Sequence, residues 1–128
     1  MEVNSNYHKG LLFISYLLIN SDQEISDHEL YYLHKMRVEE GVSDEVFSEH
    51  FMSLLGKDER EIYQIGIDAI NLCGDDQKLK IFSRLYQMAL SDKVLRVKEV
   101  RFILYAIKLT NIDVNTFFRH AEQNGIAA

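Results

Sequence analysis

Residues 21–30 read Ser21-Asp22-Gln23-Glu24-Ile25-Ser26-Asp27-His28-Glu29-Leu30, and residues 91–100 read Ser91-Asp92-Lys93-Val94-Leu95-Arg96-Val97-Lys98-Glu99-Val100. The two segments align without a gap at an offset of 70, and the match continues on both sides. Tyr16 meets Tyr86, Phe47 meets Phe117 and His50 meets His120. Gly41-Val42-Ser43 meets Asn111-Ile112-Asp113, each a helix stop, an apolar residue and a helix cap. Matching roles at one fixed offset indicate an internal repeat, about 11–55 and 81–124.

The punctuation between these landmarks is helical throughout. One helix runs to about Asn20. Ser26 and Glu29 form a capping box, in which each side chain satisfies a free backbone donor. The helix it opens carries Leu30, Leu33 and Met36 at core-facing spacing and stops near Gly41. Ser43 caps a third helix, with Val46, Phe47, Phe51 and Leu54-Leu55 on its apolar face. A fourth opens at Asp58 and closes at Gly74, a fifth opens at Asp75 or Asp76, and a sixth covers about Val97 to Leu109. The sixth is apolar on nearly all sides, and Asp113 caps a seventh. Nothing resembles a β-hairpin. The expectation is an all-α fold of about seven helices. It forms two three-helix units related by a pseudo-twofold axis and joined by the fourth helix, each burying its apolar face on the other.

Composition bounds this fold. The chain has 128 residues, one-domain size. Its hydrophobic content of 47% is that of a folded globule, and the absence of proline leaves no covalent break for a helix. Fourteen basic residues against twenty acidic ones, a net charge of −6, disfavour a general nucleic-acid binder, which needs a basic excess. A single cysteine, Cys73, excludes an internal disulfide framework and a Cys-rich zinc site, and sits among apolar residues as a small core side chain. The expected location is the reducing cytoplasm. The apolar run from Leu11 to Ile19 is too short to span a bilayer and lacks a cleavage signal, so it reads as a buried helix.

The duplicated pattern resembles the TerB-like family, named after a bacterial tellurite-resistance protein. The matching positions are Asp22, Ile25 and Glu29 in the first half, and Asp92, Leu95 and Glu99 in the second. Gln23 and Lys93 replace the glycine of the family motif, and the likeness extends from about Leu11 to Phe118. It implies an all-helical duplicated fold, acidic motif residues that bind a divalent metal, and a role in metal or chemical stress alongside membrane-bound partners.

Asp22, Glu24, Asp27 and Glu29 offer enough oxygen for a weak calcium or magnesium site in the first turn. It is not an EF-hand, because Asp27 and Leu33 stand where the glycine and glutamate of that loop belong. The second turn keeps Asp92 and Glu99 but adds the cations Lys93 and Arg96. The same carboxylates are also explained without metal: Glu29 caps its helix, Asp22 holds a turn, and Glu99 favours a helix N-terminus. No histidine pairing has zinc-ligand spacing, no Gly-rich phosphate loop is present, and no nucleophile-base-acid set can be assembled. Of Tyr31 and Tyr32, one packs and the other is exposed. Residues 22–61 hold twelve acidic and four basic residues, whereas residues 78–101 hold two acidic and seven basic. Such a bipolar surface can steer an oppositely charged protein partner or a second copy into a homodimer, and Lys93, Arg96, Lys98 and Arg101 form the basic candidate face. The reading is a non-enzymatic interaction module, cation-responsive through its acidic turns. The alternative is a purely structural helical adaptor or homodimer with no ligand, and a small-molecule enzyme ranks third.

Overall fold

The computed structural model describes residues 5–20, 27–90 and 97–123. Seven helices, and among the described residues no strand, build the chain: α1 (Ser5–Asn20), α2 (Asp27–Glu39), α3 (Asp44–Leu54), α4 (Glu59–Asn71), α5 (Asp75–Leu90), α6 (Val97–Leu109) and α7 (Val114–Gln123). Three expected caps are in place. Ser43 Oγ accepts from the Val46 N–H at 3.2 Å, Asp58 Oδ1 from Glu61 at 2.8 Å, and Asp113 Oδ2 from Thr116 at 3.1 Å. The Ser26 capping box lies outside the described residues.

The ends of α2 and α6 share their main turn-closing bonds at the offset of 70. Gly41 and Asn111 both take left-handed backbone, with φ of 73° and 62°. Their N–H groups donate to Val38 and Lys108, while Val42 and Ile112 donate to Arg37 and Ile107. Positive φ suits glycine, and asparagine is one of the few other residues that tolerates it. Gly74 departs from expectation. It does not stop α4, which ends at Asn71; its carbonyl instead accepts the first hydrogen bond of α5, from Lys78 at 3.0 Å.

The apolar run of α1 sits in the centre. Leu11 through Ser15 and Leu17 through Ile19 are all buried, so the helix has no solvated face to speak of. It packs most extensively on α4 and also touches α2, α3 and α5. Two glycines let α1 and α4 approach. A Cβ on Gly10 would lie 2.6 Å from Ile70 Cγ1, and one on Gly66 would lie 2.7 Å from Ile14 Cδ1. Buried Lys78 ties α5 to the end of α6: its Nζ donates to the Thr110 carbonyl at 3.0 Å and so complements the C-terminus of α6.

Two residues assigned to the core by spacing are solvated. Leu30 is 46% exposed and Leu55 is 71% exposed. Each stands at an end of its helix, while Leu33, Met36 and Leu54 are buried as expected. The sixth helix also keeps a solvated side, carrying Tyr105 at 59% exposure. Tyr31 is exposed and Tyr32 is half-buried, its hydroxyl donating to Gln87 Oε1. No helix among the described residues is long and apolar enough to cross a membrane.

Candidate functional site

The charge division seen in the sequence has a structural core. Glu39 and Glu40 end α2 and its cap, and Arg84 lies opposite them on α5. Arg84 Nε donates to Glu40 Oε2 at 2.8 Å and Nη1 to Glu39 Oε1 at 2.7 Å, while Lys80 Nζ lies 3.2 Å from Glu40 Oε1. The Glu40 side chain is only 4% exposed. Burial alone would raise its pKa, but the Arg84 guanidinium and the Lys80 ammonium beside it outweigh that and hold it below the usual carboxylate value. A small polar cavity of about 200 Å³ opens beside this cluster, between Tyr7, His8, Glu40, Gln77 and Lys80. Every charge in the cluster is matched, which fits a joint between α2 and α5.

A groove of about 970 Å³ lies between α4 and α6, with Leu17 of α1 also lining it. Its apolar surface comes from Leu17, Tyr63, Phe102, Leu104 and Tyr105. Tyr63 bridges the two helices, edge-on to Phe102 at 5.5 Å and stacked on Tyr105 at 6.3 Å between ring centroids. Arg60 lies on α4, and Lys98, Arg101 and Lys108 lie along α6; Glu59 is the one carboxylate among the lining residues. All four cations are exposed. The Tyr63 hydroxyl is buried and meets no hydrogen-bond partner among the described residues. Burial, with Tyr105 beside it, pushes its pKa up to about 12, so it stays a neutral donor across the working range.

Lys98 and Arg101 from the basic candidate face therefore fall in this groove, whereas Lys93 and Arg96 lie outside the described residues. So do Asp22, Glu24 and Asp92 of the acidic turns, and the Glu29 side chain, although its backbone stands in the first turn of α2. Glu99 is 1% exposed, buried in the first turn of α6. Among the described residues, no group of three or more His, Cys, Asp or Glu side chains is placed to hold a metal ion. Arg60, Tyr63, Phe102, Tyr105 and Lys108 were not singled out by sequence reasoning. The available signal was the α6 order Lys98, Arg101, Tyr105, Lys108, at steps of three, four and three residues, which forms one helical stripe.

His50, the repeat mate of His120, is half-buried on α3. His50 packs edge-on against Phe13, with ring centroids 6.1 Å apart. Burial, then the charges of Lys9 and His8, lower its pKa despite the opposing effect of Glu49. Its native value thus lies below the unfolded value of about 6.5, so it contributes stability above that pH that is lost as pH falls through the lowered native value. Thermal melts of His50→Gln are expected to lose less stability than wild type between about pH 7 and pH 5. Equal losses would show that His50 does not carry the effect. Cys73 is half-buried, its thiol raised by burial and donating to the Ala69 carbonyl at 3.5 Å, as suits a structural residue.

No family model, curated protein or solved structure matches the chain.

Proposed function

We propose that this protein is a non-enzymatic interaction module that docks a protein partner in the groove between α4 and α6. The observation that carries this reading is the combination of exposed aromatic surface with four flanking cations and one carboxylate. Exposed apolar surface rimmed by charge is the usual mark of a contact site. Catalysis would call for convergent polar groups with perturbed titration. This groove supplies distributed cations around an apolar floor, which suits recognition. The module acts in the cytoplasm, in a bacterial metal or chemical stress response of the TerB-like kind, where its partner is membrane-bound. The matched corners of α2 and α6 support the duplicated architecture behind that likeness.

The test is co-purification from cells at native expression. A defined partner is expected with the wild type and is lost from Arg101→Glu/Tyr105→Ser, whose far-UV circular dichroism and melting temperature stay unchanged because both side chains are exposed. Recovery that ignores these substitutions would remove the groove from the account.

The second element of the proposal is a calcium or magnesium site at Asp22, Glu24 and Glu29, with Asp92 and Glu99 as the weaker counterpart. Four acidic residues within eight positions support it. Titration calorimetry is expected to show heat, and millimolar metal to raise the melting temperature, because binding to the native state stabilises it. A flat titration with no melting shift leaves the turns with a purely structural role.

A further inference from the structure

The groove supports a more specific reading, one that rests on the interaction role above. We propose that its occupant is an amphipathic α-helix of a partner protein, apolar on the buried face and lined with Asp and Glu along both flanks. Three observations carry this. First, the cations are spread out. Lys98, Arg101 and Lys108 occupy one stripe of α6 that spans ten residues, about 15 Å of helix at 1.5 Å per residue, and Arg60 faces them from α4. A phosphate or a fatty-acid head presents negative charge at one point. Carboxylates on successive turns of a helix present it along the same length. Second, the apolar lining comes from Tyr63 on α4 and from Phe102, Leu104 and Tyr105 on α6, two helices of 13 residues each. A third helix laid along them buries residues at i, i+3 or i+4 and i+7, the usual helix-in-groove arrangement. A bilayer presents its charge as a plane, whereas a groove recessed between two helices meets a rod better than a plane. Third, Tyr105 is 59% exposed and stacks on Tyr63 at 6.3 Å between ring centroids, which leaves an aromatic pair of the groove open to solvent on one side. Apolar side chains of the incoming helix cover that pair.

The test is selection from a displayed library of 16-residue helical peptides against the full chain, followed by titration of the winners. Enriched sequences are expected to place apolar residues three and four apart and to carry a net negative charge. Their affinity is expected to fall at least tenfold with Arg101→Glu, to fall with Tyr105→Ser, and to weaken between 50 and 500 mM salt, roughly as screening of several close ion pairs requires. Both variants must melt like wild type. Four results would overturn the proposal: enrichment of basic or extended peptides, no enrichment, affinities indifferent to both variants, or no displacement of peptide while oleate or phosphatidylglycerol vesicles bind in an Arg101-dependent manner. Self-association by sedimentation that Arg101→Glu abolishes, with no peptide enriched, would assign the groove to a second copy instead. If co-purification finds a groove-dependent partner but the peptides fail, the helix inference falls while the interaction role stands.

Discussion

Gly10→Val is expected to destabilise the protein by about 3 kcal/mol or more, the upper end for overpacking a core. The reason lies where the central helix crosses α4. A Cβ at Gly10 comes within 2.6 Å of Ile70 Cγ1, and behind that atom stand the Ile70 backbone nitrogen at 3.3 Å and the Gly66 carbonyl at 3.4 Å. The obstruction therefore includes the α4 backbone, which yields only if the helix moves. Valine adds two methyl groups at the same point. Helix propensity works the other way, since glycine inside a helix is disfavoured by about 1 kcal/mol relative to alanine, but that gain is smaller than the steric loss. Gly66→Ala is expected to cost less, because its nearest obstacle is the far end of the Ile14 side chain, at 2.7 Å. Denaturant melts of both variants give the ranking. A Gly10→Val protein that melts like wild type would show that α1 and α4 do not meet on this face.

The second large effect is expected at Arg84. Replacing it with methionine keeps much of the apolar stem but strands Glu40, whose side chain is almost fully buried. Removing one partner of a buried ion pair costs about 3–5 kcal/mol, because the remaining charge is left without compensation. Lys80 still faces Glu40 at 3.2 Å, so the lower end of that range, roughly 3 kcal/mol, is expected here. The Arg84→Met/Glu40→Gln double variant is expected to recover much of the loss, since neither charge then needs a partner. Additive losses in a double-mutant cycle would mean that the pair does not hold α2 on α5.

Local signals and long-range pairing were legible in the sequence to different degrees. The seven helices follow from caps and stops that act within a few residues, and Ser43, Asp58 and Asp113 cap as their chemistry dictates. The left-handed Gly41 and Asn111 were recognisable as mates because both residue types tolerate positive φ. Leu30 and Leu55 show the limit of periodicity. It assigns a residue to a face, but exposure depends on whether another element covers that end of the helix. The groove was hidden for the same reason. Tyr63 and Tyr105 are 42 positions apart, and nothing local to either announces that α4 and α6 leave a channel between them. Half of the basic face was visible beforehand because Lys98 and Arg101 cluster near the second turn. The acidic turns carried the family likeness, and Asp22, Glu24 and Asp92 of those turns lie outside the described residues.

The most direct test of the docking account is site-specific photo-crosslinking in living cells. A photoreactive phenylalanine analogue takes the place of the exposed Tyr105 in the groove, and in a control the place of Asp76 at the exposed start of α5. The account predicts one discrete protein adduct from position 105, lost when Arg101→Glu is added, and none from position 76. The absence of any adduct from position 105, or the same adducts from both positions, would contradict it.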